Sequence, residues 1–340
     1  MSGSWATQRE RGSAVLLRVM LWITLRLGSR PAQCLLYPIT AYFFVFGRAA
    51  REASYQYLER ALGRRPTARD VFRHLFSFAS VILDRALLLA GRQRQFRIEI
   101  VGQEHLAELA GQGRSCVLLG AHLGSFQVLR EVARHCPVPV HALMFRSNAG
   151  PLTRLMEGLD PGLCDAVIEI GTVDAMLRVR EAVERGAVVG ILADRALGSA
   201  RFIEAAFLGK QAPFPTGPII LASLLGVPVL TCFAVRVGPR HYEVRFDPFA
   251  DRIVLRREKR IADLRDWIGS YATWLDQVCR AHPFNWFNFY DFWAESRDAA
   301  PAEAVGSADP VLRPDPSSSR RGAVAGANRW PDRGSNASTR

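Results

Sequence analysis

Apolar positions recur along this chain with two periods. Up to about residue 90 the spacing is helical. Residues 14–27 read as an apolar helix interrupted by Arg18 and Arg26, with Ser29-Arg30-Pro31 expected to break it. A second apolar run covers 34–46. Neither run reaches the roughly 18 to 20 uncharged residues of a clean spanning helix. A helical hairpin or interfacial anchor on the membrane surface is the preferred reading. Residues 50–62 read as a surface helix ending near Gly63. Residues 67–90 read as a richly apolar helix opened by Thr67 as N-cap, on which His74 is a structural residue.

From Phe96 the period becomes that of strands. Phe-Arg-Ile-Glu-Ile-Val alternates, and apolar runs then trade places with helical stretches. The pattern predicts strands at 96–101, 115–121, 138–145, 167–170, 187–193, 202–207, 228–237 and 241–247. It predicts helices at 125–134, 149–158, 172–185, 216–225 and about 256–280. This rhythm gives an α/β fold with a mostly parallel central sheet flanked by helices, the strand at 202–207 included in the sheet. Three regions follow: an apolar and basic helical segment over 1–62, the α/β domain over 63–295, and a tail over 296–340. Of the tail's 45 residues, 25 are Ala, Pro, Gly or Ser, too few large apolar groups to offset ordering entropy, so disorder is expected.

The candidate chemistry sits where one apolar run ends. In Cys116-Val-Leu-Leu-Gly-Ala-His122-Leu-Gly-Ser-Phe-Gln127 a buried strand delivers a histidine to its C-terminal edge, and a helix follows. Open α/β sheets place ligand sites at such edges, and imidazole is the side chain that titrates near neutrality. A histidine satisfied by hydrogen bonds at a strand end is the plainer alternative.

The same segment resembles the His-x4-Asp/Glu block of the lysophospholipid acyltransferase superfamily, in particular its lipid A late-acyltransferase branch. Phe145-Arg146-Ser147-Asn148 resembles the second block. Phe207-Leu208-Gly209-Lys210 and Pro215-Thr216-Gly217-Pro218 are similar to the third and fourth. His282-Pro283 with Trp286-Phe287-Asn288-Phe289 resembles the family's aromatic C-terminal signature. The resemblance spans roughly residues 10 to 295 and departs at position 127, where Gln replaces the family's carboxylate.

What this resemblance implies is transfer of a fatty acyl chain to a hydroxyl. The donor is acyl carrier protein, or acyl-CoA, and the acceptor a lipid A-type or other glycolipid. His122 is the general base, and Gln127 takes the carboxylate's place by accepting a bond from the imidazole N–H. Asp194 follows the strand 187–193 and so lands on the same sheet edge as His122, as a catalytic partner or as a structural ion pair. Glu131, one helical turn after Gln127, reads as a solvated charge. Arg146 is expected to hold a phosphate-bearing substrate, with Arg195 a second candidate. Gly209 and Gly217 allow close backbone approach, and Thr216 opens a helix whose N-terminus favours an anion. The aromatic cluster from Trp286 to Trp293 reads as core before acyl groove. No metal or bound cofactor is implied. A non-catalytic member that binds acyl carrier or lipid is the alternative that Gln127 suggests, and a soluble hydrolase is a third.

Charge sharpens the partner reading. The net charge is +12, carried almost wholly by arginine. Residues 1–100 hold 16 Arg against 6 acidic residues, mixed with the most apolar segments. That mixture suits an anionic membrane surface, and no reader fold for nucleic acid is recognisable. The expected location is the cytoplasmic face of the inner membrane, peripheral or monotopic. The six cysteines form no Cys-x-x-Cys and read as small buried residues. No Gly-x-Ser-x-Gly elbow, dinucleotide fingerprint or Walker A sequence is present.

Overall fold

A computed structural model describes residue 26 and residues 29–134, 136, 138–144, 167–170, 174–195 and 201–293. The chain divides into two units, Met1–Ala304 and Val305–Arg340, and all described residues belong to the first. The apolar stretch 14–27 apart from Arg26, the turn at Arg146, the expected helix 149–158 and the tail 296–340 lie outside the described residues.

Three helices come first. Helix α1 (Ser29–Phe46) carries the second apolar run, α2 (Arg48–Leu62) ends on left-handed Gly63, and α3 (Ala68–Leu89) follows. Thr67 caps α3 as the sequence predicts. Its hydroxyl accepts the Asp70 N–H, and its own N–H donates to the Asp70 carboxylate at 2.8 Å. The sheet then contains β1 (Arg97–Val101), β2 (Cys116–Gly120), β3 (Val140–Met144), β4 (Val167–Glu169), β5 (Val188–Leu192), β8 (Val229–Gly238) and β9 (His241–Ala250). Its order is β1-β9-β8-β2-β5-β3-β4. Strands β8, β2, β5, β3 and β4 run parallel, and β9 with its parallel neighbour β1 runs against them.

The remaining helices are α4 (Gln103–Gly111), α5 (Phe126–Ala133), α6 (Ala175–Glu184), α7 (Gly217–Leu225) and α8 (Arg260–Ala281). Alternation along β2 assigns them to faces. Val117 and Leu119 pack into one core with Tyr57 and Leu58 of α2, Ile219 of α7 and Leu275 of α8. Cys116 and Leu118 pack into another with Val81 and Leu88 of α3 and Val128 of α5. The predicted sheet between two helical layers is therefore present.

The expected strand at 202–207 does not join the sheet. It forms β6 (Phe202–Phe207), which pairs with β7 (Lys210–Pro215) in a separate antiparallel hairpin. Leu208 and Gly209, at φ +48° and +78°, make the two-residue turn between them, a conformation that glycine adopts without strain. The hairpin's Phe207 and Phe214 are buried against the C-terminal aromatic residues. No helix among the described residues is long and apolar enough to cross a membrane, so the expected N-terminal membrane anchor has no spanning support there.

Candidate active site

Strands β2 and β5 are parallel neighbours with Gly120 opposite Leu192. Each chain runs two residues further and ends on a polar side chain, His122 after β2 and Asp194 after β5. The pairing register therefore places imidazole and carboxylate side by side. His122 Nδ1–H donates to Asp194 Oδ1 at 2.7 Å, and the His122 backbone N–H donates to Asp194 Oδ2 at 3.1 Å. With Nδ1 committed to the carboxylate, Nε2 keeps its lone pair. The imidazole is 32 % exposed while the Asp194 carboxylate is fully buried.

Electrostatics keep the pair in the states a base requires. Burial alone would raise the Asp194 carboxyl. The adjacent His122 charge and hydrogen bonds, with Arg195, outweigh burial and hold it below the usual carboxylate range. Burial, with Arg195 second, holds the His122 imidazole below its ordinary value against the pull of Asp194. At neutral pH the pair is a carboxylate beside a neutral imidazole.

The loop that carries His122 is clamped from two sides. Gly124 adopts φ +61°, and a Cβ there would lie 1.9 Å from the Ala234 carbonyl oxygen of β8. Only glycine permits that approach, which lets the Ser125 N–H reach the same carbonyl at 2.8 Å. Ser125 then caps α5 by accepting the Val128 N–H. On the other side the C-terminal segment lies along the loop. The Phe287 N–H donates to the His122 carbonyl at 3.0 Å, and the Gly124 N–H donates to the Asn285 carbonyl at 2.8 Å. Between them the Trp286 indole N–H reaches Asp194 Oδ2 at 2.9 Å.

Of the residues expected to act, His122 and Asp194 are brought together and Arg195 lies beside them. The Arg195 guanidinium donates to Asn288 Oδ1 at 2.5 Å and to the Phe287 carbonyl at 2.7 Å, and it sits over the Tyr290 ring. Gln127 does not orient the imidazole. Its side chain is buried, its Oε1 has no hydrogen-bond partner among the described residues, and the ring N–H it was expected to engage belongs to Asp194. The cause is geometric: Gln127 lies on the first turn of α5, past a loop already bent back onto β8. Glu131 is 5 % exposed, so it is not the solvated charge expected. Gly209 serves the hairpin turn. Thr216 is buried and bonded through N–H and hydroxyl to the Arg201 carbonyl, and Gly217 begins α7. Among the described residues none of these three hydrogen-bonds to the dyad.

Trp286 is the site contact that the sequence did not expose. Its aromatic neighbourhood was legible, since Trp286, Phe292 and Trp293 are buried together as core. A buried indole still carries an N–H that needs an acceptor, and that requirement was the available signal. His74 is structural, as expected. Its Nε2–H donates to the Trp286 carbonyl at 2.9 Å, and the Ser54 hydroxyl donates to its Nδ1 at 2.8 Å.

A family model described as bacterial lipid A biosynthesis acyltransferase matches residues 6–294. No individual curated protein matches the chain.

Proposed function

The chain belongs to the bacterial lipid A biosynthesis acyltransferase family, and from that premise we propose that it is an O-acyltransferase with His122 as general base. An acyl thioester and an acceptor alcohol meet at the open side of the imidazole. His122 Nε2 takes the hydroxyl proton as the oxygen attacks the thioester carbonyl. The tetrahedral adduct collapses, the C–S bond breaks, and the imidazolium returns its proton to the departing thiolate. The products are an ester and a free thiol. Asp194 fixes the imidazole tautomer and stabilises the imidazolium that forms between the two steps, the task of the buried carboxylate in a serine-protease triad.

The observation that carries this reading is the 2.7 Å bond from a part-exposed imidazole to a fully buried carboxylate at the end of the sheet. It also weakens the non-catalytic alternative, whose ground was the neutral side chain at position 127. The proposed donor is acyl carrier protein, with acyl-CoA as the other thioester, and the proposed acceptor a lipid A-type or other glycolipid. Arg195, next to Asp194 in the chain, is the proposed substrate-binding residue beside the dyad. Thin-layer separation of products from labelled acyl carrier protein and a panel of acceptors tests the proposal: His122→Ala should abolish product, and undiminished transfer would refute it.

A seat on the membrane surface belongs to the same proposal. Along α1, Tyr37, Tyr42, Val45 and Phe46 are more than half exposed, and Arg48 and Arg51 follow immediately. An outward aromatic face with adjoining cations suits the interface of an anionic bilayer, with the cytoplasmic face of the inner membrane as the proposed location. Flotation with anionic vesicles should carry the protein upward. A protein that stays at the bottom of the gradient contradicts the seat.

A further inference from the structure

The bonds of Trp286 are unusually distributed for a core aromatic. Its indole N–H is spent on Asp194 Oδ2 at 2.9 Å. Its carbonyl accepts from His74 at 2.9 Å. Residues 285 and 287 on either side bond the backbone of the His122 loop at 2.8 and 3.0 Å. Asn285 is itself fixed to β8, where its Oδ1 accepts the Arg236 N–H at 2.8 Å and its amide donates to the Arg236 carbonyl at 3.2 Å. One short segment thus grips the base through its backbone and the carboxylate through a side chain.

We infer that Trp286 is a positioning residue for acyl transfer, setting the rotamer of Asp194 and through it the aim of the His122 lone pair. The inference rests on the dyad assigned above. A carboxylate can swing about its Cβ–Cγ bond, and His122 alone bonds it along one side. The indole supplies the third donor and comes from a different part of the chain. Its ring has no room to move, because Trp286 is fully buried against Tyr57, Phe207 and Phe292 at centroid distances of 4.9, 5.2 and 5.0 Å. An ordinary core tryptophan contributes through area and shape. This one also contributes through a single N–H, and that separates the two roles experimentally.

In the full-length protein, Trp286 is replaced by 3-benzothienylalanine, which keeps the bicyclic outline and puts sulfur in place of the N–H. The expected result is a kcat lower by about tenfold, the scale of one lost hydrogen bond to a charged group. KM should hold, and the low-field Nδ1–H proton resonance of His122 should move. Val179→Ala, in the separate core beneath α6, is the packing control: it should lower the melting temperature and leave kcat in place below it. The inference is overturned if the analogue keeps wild-type kcat with an unmoved resonance, or if Val179→Ala lowers kcat as much. His122→Ala runs alongside. Should that variant transfer at the wild-type rate, the functional reading falls and the inference with it. Should it be dead while the analogue is fully active, the inference alone falls.

Discussion

His74 bonds the Trp286 carbonyl and His122 shares Asp194 with the Trp286 indole, and the two histidines differ in what the fold leaves them. His74 is fully enclosed, with both ring nitrogens bonded, one to the Ser54 hydroxyl and one to a carbonyl. Neither partner is charged, and burial drives its pKa down to about 4. It stays neutral and joins two helices to the C-terminal segment. His122 has one nitrogen on a carboxylate and the other without a hydrogen bond among the described residues, on a ring that reaches solvent. Both imidazoles are depressed by burial, so depression alone does not mark a base. An anionic partner together with an open lone pair does.

The strongest way to break this contrast is to remove the partner's charge. Asp194→Asn should lower turnover by about 10⁴, as loss of the orienting carboxylate does in serine-protease triads, while the protein stays folded. A loss under tenfold in a steady-state transfer assay would make the two histidines equivalent. The next largest effect falls on the other ring. His74→Ala leaves the Ser54 hydroxyl and the Trp286 carbonyl unsatisfied and opens a cavity, costing about 3 kcal/mol in urea unfolding. Turnover per folded molecule should change only severalfold.

Acid should separate the pair without mutation. In the unfolded chain His74 titrates near 6.5 and in the fold near 4, so the unfolded chain binds more protons between those values. Stability is therefore complete above pH 6.5 and falls by about 3 kcal/mol on the way to pH 4. Unfolding midpoints across that range should show the slope, and His74→Leu should remove this part of it. Catalysis needs His122 neutral, and burial and Arg195 extend the neutral form below its ordinary 6.5. kcat should thus plateau at neutral pH and lose its acid limb only below 6.5. A limb above that value would contradict the assignment. The smallest effect is expected at Gln127→Glu. Because Asp194 and not this side chain bonds the His122 ring N–H, transfer should change by less than threefold, and a large rise would restore the helix to the role assigned to Asp194.

The alternation of apolar runs with helical stretches was legible because strand and helix impose different periods on the same residue types. The β6–β7 hairpin was not. Lys210–Pro215 contains Pro213 and Pro215 and reads as non-strand, so its partner 202–207 had nowhere to pair except the main sheet. Helix α4 leaves no apolar pattern for a different reason, being short and without one buried residue. At the site, Asp194 could be placed because parallel strands share an edge, which is a statement about topology. Gln127 was misplaced because its role came from position in a motif, and the bend at Gly124 decides where that position points. The indole contact joins residues 92 apart and leaves no local pattern at all.

The in-register pairing of Gly120 with Leu192 has a mechanical consequence. Twisting or breathing of the sheet displaces two laced neighbours by nearly the same vector, so thermal motion carries imidazole and carboxylate along as passengers on one platform. Their mutual distance is insulated from that flexing.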